Sequence, residues 1–279
     1  MIHYEIEHVR CIESLRNDFL PCEIPSDLQK SNYKQVRKKP FTVVYEDNHL
    51  LIVNKAAGIL VQGDKTGDKT LIDYCKDYIA EKYNKPGDVF LHPIHRLDRP
   101  VSGLVAFART SKGLERMMEL FRKRDIHKVY WALVKRRPRE ESGKLTHYLT
   151  KDEFKNVVTA HDKEVPGSQK AELNYKTLGY MNDHWLLEVR PISGRPHQIR
   201  VQLASMGCPI RGDLKYGFAK ANPDASINLH AFQLIFVHPT RKEKLYMRAA
   251  LPETEFWEQF LEFEEIKAKD QHLDNTYSG

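Results

Sequence analysis

The chain has 279 residues, enough for one large or two small domains with a sizeable core. Its 44 Lys and Arg against 38 Asp and Glu leave a net charge of +6, which points to an acidic partner, nucleic acid first. No apolar stretch approaches the ~20 residues of a membrane span, and the four cysteines are too scattered for a zinc ribbon or a disulfide framework.

Residues 1–40 are mixed in character, end in the basic run Arg37-Lys38-Lys39-Pro40, and read as an N-terminal extension. Met1-Ile2-His3-Tyr4-Glu5 lacks a basic start followed by an apolar core, so a cytoplasmic protein with reduced thiols is expected. The main domain is expected over 41–265, with a polar tail at 266–279. Thr42-Val43-Val44-Tyr45 and Leu50-Leu51-Ile52-Val53 flank Asp47-Asn48 as a hairpin would. The polar repeat from Gly63 to Thr70 has Asp68 where a P-loop needs glycine, and reads as a loop. Thr70 with Asp73 then forms a capping box for a helix through about Tyr83.

Ser111 is expected to cap a second helix, in which Leu114, Met117, Met118 and Phe121 recur at helical spacing and are assigned to core packing. Strands are expected at His127–Lys135, Glu172–Leu178, Trp185–Val189 and Leu229–Val237. Pro196–Met206 reads as a helix stopped by Gly207, and Pro252 as the start of a last amphipathic helix carrying Phe256, Trp257 and Phe260. Strands outnumber helices without a regular βαβ alternation, which argues for an α+β fold.

The chemistry concentrates in residues 92–104, His-Pro-Ile-His-Arg-Leu-Asp-Arg-Pro-Val-Ser-Gly-Leu. Asp98 stands between Arg96 and Arg99, followed by a turn and the strand-like run Leu104 to Phe107. Neighbouring positive charge favours a carboxylate's ionised form. Such a group is a poor proton donor but a usable nucleophile or base, placed where a polyanion is drawn in. The same triplet also fits a structural surface ion pair. The spacing of His92 and His95 carries no metal signature; His95 fits better as a hydrogen-bonding group that fixes the Asp98 loop.

This block resembles the signature of the RluA family of RNA pseudouridine synthases, His-Arg-Leu-Asp-Arg followed by Ser-Gly. Two further stretches resemble that family in its order: Asn54-Lys55-Ala56-Ala57-Gly58, and Gly194-Arg195-Pro196-His197-Gln198-Ile199-Arg200 continued by Gly207-Cys208-Pro209-Ile210 and Gly212-Asp213. The resemblance covers roughly Phe41 to Phe260. It implies a long mixed, mainly antiparallel sheet flanked by helices with a central active-site cleft. It also implies isomerisation of uridine in ribosomal or transfer RNA without metal or organic cofactor. Many family members carry a small RNA-binding domain at the N-terminus, which residues 1–40 do not match.

On that resemblance Asp98 is the essential carboxylate, attacking the sugar, attacking the base or abstracting a sugar proton. Arg200 is its charge partner, Tyr130 stacks on the target uracil, and Arg96 fills the gap left when the nucleotide is everted. Alternation along the strand leaves Tyr130 facing either cleft or core and turns Trp131 to the opposite face. Leu229 is expected beneath the uracil or as a plain core leucine. The basic stretch around Tyr130, from Arg122 to Arg139, reads as phosphate contacts or solvated surface. Val101, Gln202 and Ala56 depart from common Thr, His and Pro, which bears on positioning and target choice. Arg99-Pro100 is shared with members that modify transfer RNA. A monomer with no required protein partner and no membrane association is expected. Two other classes fit the chain less well: an inactive RNA-binding or ribosome-assembly factor on the same fold, and a hydrolase using Ser102 or Ser193 with a nearby histidine.

Overall fold

The computed structural model describes residues 39–263 apart from Lys65. The extension, apart from its last two residues, and the tail at 266–279 therefore lie outside the described residues. The expected hairpin forms between β1 (Phe41–Glu46) and β2 (Leu50–Lys55). Asp47 pins its turn, accepting from the His49 and Leu50 amides at 2.8 and 2.7 Å. α1 (Leu71–Lys82) opens on the expected reciprocal capping box between Thr70 and Asp73. β3 (His92–Pro93) leads into the Asp98 loop, and β4 (Ser102–Ala108) leaves it. α2 (Ser111–Lys123) is capped one residue earlier than expected: Thr110 stays extended while its hydroxyl accepts from the Gly113 amide at 3.1 Å.

β5 (His127–Val134) is followed by a hairpin that periodicity did not foresee, β6 (Ser142–Asp152) with β7 (Val157–His161). It forms an edge of the sheet and stays half exposed, so its residues show no fully apolar face. β8 (Gln169–Met181), β9 (His184–Pro191), α3 (Gln198–Ser205) and β10 (Leu229–Val237) lie where expected, β8 running longer at both ends. β11 (Lys244–Arg248), also unforeseen, is a short polar strand paired to β10. α4 (Glu255–Glu258) starts three residues after Pro252, because Thr254 supplies the cap to the Trp257 amide.

Among the described residues eleven strands form one sheet, in the order β1-β2-β4-β10-β5-β9-β8-β6-β7, with β3 on β4 and β11 on β10. Every pairing is antiparallel except β4 with β10. The result is the expected α+β architecture. Alternation sorts the strands into two buried faces. Leu51, Val53, Val105, Phe107, Ala132 and Leu187 pack under α1 and α3. Leu50, Ile52, Leu104 and Ala106 pack under Met117 of α2, and Trp131 with Phe232 packs under Trp257 and Phe260. Trp131 stacks on Phe232 at 4.0 Å, on the face opposite Tyr130 as expected. Met118 departs from expectation. It is 49 % exposed while its neighbour Met117 is buried, because the two point 100° apart on the helix. No helix among the described residues is long and apolar enough to cross a membrane.

The parallel contact is short, joining Ser102 to His230 and Gly103 to Ala231. Gly103 has φ +111, and a β-carbon there would collide with the backbone nitrogen, carbon and oxygen of Ala231. Only glycine lets β10 approach the end of the Asp98 loop so closely. Gly103→Ala is expected to cost about 2–4 kcal/mol through strain and overlap together, read as a lower urea midpoint with an unchanged slope.

Candidate active site

The site grows from two turns that face each other across the sheet. In the later one, His197 caps α3 with φ +50, a left-handed conformation that costs a β-carbon-bearing residue about 1–2 kcal/mol. The Tyr216 hydroxyl holds it there, 2.7 Å from His197 Nδ1, while accepting the Val158 amide at 3.0 Å. The turn sends Arg200 inward, where it is buried. Its Nε and Nη2 donate to both oxygens of Asp213 at 2.7 and 2.8 Å, and its Nη1 donates to Asp98 Oδ2 at 2.9 Å. The guanidinium also lies over the Tyr216 ring, 5.0 Å from its centre. Burial works against its charge, but the bonds and charges of Asp213 and then Asp98 outweigh burial and raise its pKa.

In the earlier turn the Asp98 backbone is tied on several sides. The Asp98 carbonyl accepts from the Val101 amide at 3.1 Å, and the Pro100 carbonyl accepts from the Ile227 amide at 3.1 Å. The Arg99 carbonyl accepts from the Gly58 amide at 2.8 Å and from Lys55 Nζ at 3.3 Å. Lys55 is fully buried and also donates to the Ala56 and Ile59 carbonyls; burial, opposed by the charge of Asp98, pushes its pKa down to about 7. The Asp98 side chain is 28 % exposed against 6 % for Arg200, so the carboxylate opens to the cleft with its counter-charge behind it. His197 Nε2 stands 3.9 Å from the same oxygen, and burial lowers its pKa against the pull of Asp98.

The guanidiniums beside Asp98 in sequence point elsewhere. Arg99 pairs with Asp68 at 2.9 Å and bonds the Gly58 carbonyl, and Arg96, exposed, donates to Gln62 Oε1 at 3.4 Å. Adjacency along a turn places side chains on different sides of it, so the charge partner of Asp98 comes from 102 residues away. All five residues singled out from sequence, Asp98, Arg96, Tyr130, Arg200 and Leu229, line one cleft of about 750 Å³. Tyr130 lies on the cleft face of β5, partly buried, with no hydrogen bond to its hydroxyl among the described residues. Burial and then the charge of Asp98 raise its phenol pKa. Leu229 is at once cleft floor and core, in register with Ala132.

Sequence reasoning gave no role to Asp213, Tyr216 or Lys55. Asp213 and Lys55 fall inside the quoted motifs, but nothing local says which side chains are buried; Tyr216 has no sequence signal at all. The serines of the hydrolase reading are occupied. Ser102 lies buried 2.8 Å from His230 Nδ1, and Ser193 donates to Gln198 while accepting the Glu172 amide. Gln202, where a histidine is common, is buried and donates to the Ala171 carbonyl at 3.2 Å.

A carboxylate braced by a buried guanidinium and opening into a cleft lined by many cationic side chains suits an enzyme acting on an anionic polymer. The profile of the family described as RNA pseudouridylate synthase matches residues 49–205. The chain is 32 % identical to the tRNA pseudouridine synthase C of Vibrio parahaemolyticus over 244 residues, 80 % of this chain and 94 % of that protein. It is 32 % identical to the ribosomal large subunit pseudouridine synthase C of Vibrio cholerae over 215 residues, 75 % of this chain and 65 % of that one. Its fold matches human RNA pseudouridylate synthase domain containing 4 with a TM-score of 0.63 and 25 % identity, covering 76 % of this chain and 88 % of that one. The chain belongs to the RNA pseudouridylate synthase family, a family of isomerases, as its three motifs suggested.

His95 provides a check on the loop. Its Nε2 accepts from the Ala106 amide at 3.2 Å and its ring stacks on Phe121, so it does fix the loop by hydrogen bonding. Burial, helped by the charge of Lys128, pushes its pKa from 6.5 down to about 3. Between those values the unfolded chain binds the extra proton and the folded chain does not, so stability is lost as pH falls from 6.5 toward 3. The drop in urea midpoint between about pH 7 and pH 5 should therefore be smaller in His95→Gln than in the parent protein.

Proposed function

We propose that the protein isomerises specific uridines in transfer or ribosomal RNA to pseudouridine, with Asp98 as the essential carboxylate. The observation that carries this reading is the exposed edge of Asp98 in a cleft whose other walls are Tyr130, Leu229 and Arg200. The nucleotide leaves the RNA stack, at a cost of a few kcal/mol, and its base enters against the Tyr130 ring and Leu229. Arg200 holds the carboxylate at a fixed position beside the sugar and base. A closed apolar wall on one side and an aromatic ring on the other retain the uracil while its bond to nitrogen is exchanged for one to carbon. Arg96 enters the space the nucleotide vacates, a role its exposure and its place in the cleft lining support.

Transfer RNA is the favoured substrate of the two. Arg99-Pro100 supports it, as does the match along 94 % of the length of a relative named for tRNA. The buried free thiols of Cys75 and Cys208 fit a reducing, cytoplasmic setting. An inactive RNA-binding factor would have no need to keep Asp98, Tyr130 and Arg200 in one cleft.

Mapping pseudouridine in RNA from cells lacking the gene identifies the target, as the uridine whose modification disappears. On that RNA, Asp98→Asn should abolish product formation while the fold and RNA affinity stay near those of the parent; turnover equal to the parent's would refute the assignment. Tyr130→Ala should lower kcat by more than it weakens RNA binding, by about tenfold or more given the worth of one aromatic stack. A defect confined to affinity would remove the stacking role.

A further inference from the structure

The cleft continues past Tyr130 to a wall built by α2 and the start of β5. α2 packs Leu114, Met117 and Leu120 into the core, while Met118 stands out from that face, 49 % exposed, and lines the cleft together with Phe121. The Phe121 ring is held by stacking on His95, with centroids 5.5 Å apart and planes 29° apart. This makes a firm apolar shelf at the cleft mouth. Both side chains face the cleft in which the RNA is to lie.

Lys128 reaches over the shelf from β5, its ammonium 5.9 Å from the centre of the Phe121 ring. The ammonium also lies beside Gly194, 3.5 Å from where a β-carbon there would stand. Among the described residues it has no hydrogen bond and no ion pair. Each of the other cationic side chains lining the cleft bonds a protein acceptor: Arg96 Gln62, Arg99 Asp68, Lys151 Glu153, Arg195 the Lys170 carbonyl, Arg200 Asp213 and Lys215 the Asn156 carbonyl. Burial alone lowers the Lys128 pKa. A half-buried ammonium without an acceptor is costly until an anion reaches it.

We propose that Met118, Phe121 and Lys128 form a second nucleotide subsite, which takes the RNA residue next to the everted uridine. Its base lies on Met118 and Phe121, and its phosphodiester oxygen accepts from Lys128 Nζ. The subsite rests on the reading of the cleft as a uridine site. Lys128 and Tyr130 share a face of β5 about 6.6 Å apart along the strand, so a base on Tyr130 carries its neighbouring sugar-phosphate past Lys128. The subsite reads what stands beside the target and so contributes to target choice, beyond the chemistry at Asp98.

The test uses the full chain and a synthetic RNA hairpin carrying the mapped uridine, alongside hairpins abasic at either flanking position. Lys128→Gln should raise KM about tenfold, the loss falling on KM rather than kcat, and Lys128→Arg should recover most of it. One abasic hairpin should bind the parent about tenfold more weakly than the intact hairpin. That difference should vanish in Met118→Glu, whose change sits on an exposed position, since the contact is then already lost. The subsite is overturned if both abasic hairpins bind like the intact one, if the effects of Met118→Glu and the abasic change simply add, or if Lys128→Gln acts on kcat. Parent protein that forms no pseudouridine in any RNA defeats the proposed function instead. The subsite falls with it, whereas unchanged abasic binding by a protein that does form pseudouridine overturns the subsite alone.

Discussion

The guanidinium of Arg200 is asked to serve two carboxylates at once, and the rest of the site is arranged around that demand. A single buried ion pair is a weak source of stability, because desolvation consumes most of the attraction. Here Asp213 takes two of the three guanidinium nitrogens in a planar fork and leaves Nη1 aimed at Asp98. The fork removes the rotational freedom that a lone arginine would have, so Asp98 meets a charge of fixed direction. A lysine would supply the charge without the direction. Behind the fork the strained turn at His197 sets where α3 begins, and Tyr216 both stabilises that turn and underlies the guanidinium. One tyrosine thus joins the edge hairpin, through the Val158 amide, to the residue that orients the carboxylate.

The other half of the site depends on backbone rather than charge. The loop from His92 to Val101 is held by the buried ammonium of Lys55, by the Gly58 amide and by contact with β10 at Gly103. Each of these comes from a segment that the sequence motifs contain. The motifs are therefore not a row of catalytic groups. They are a few groups that touch substrate and a larger number that hold those few still.

Central strands and well-capped helices were legible because burial on both faces leaves long apolar runs, as in β4, and because Thr70 with Asp73 satisfies the helix start locally. The β6–β7 hairpin and β11 were not, since strands half exposed to water carry no apolar stripe to read. Met118 was misassigned for a related reason: helical spacing identifies a face, and a pair of adjacent methionines cannot both lie on it. At the site, the family resemblance pointed to Asp98, Tyr130 and Arg200, while the neighbours in sequence, Arg96 and Arg99, also offered themselves as ion-pair partners for Asp98. The fold pairs Asp98 with Arg200, whose guanidinium is gripped from behind by Asp213. Local sequence reveals which groups are available; only the fold reveals which of them are buried together.

The sheet order has a consequence for how the molecule comes into being. β4 and β5 do not pair with each other; β10 lies between them and is the strand that joins β1-β2-β4 to β5-β9-β8-β6-β7. It bonds β4 through two residue pairs some 128 positions apart in the chain. Pairing across such separations is slow, because the loop entropy is paid before the contact rewards it. On the ribosome the strands of both half-sheets emerge before β10, and no strand pairing joins the two halves until residues 229–237 leave the exit tunnel. A nascent chain accordingly lacks a continuous sheet between the Asp98 loop and Tyr130 until β10 has been made.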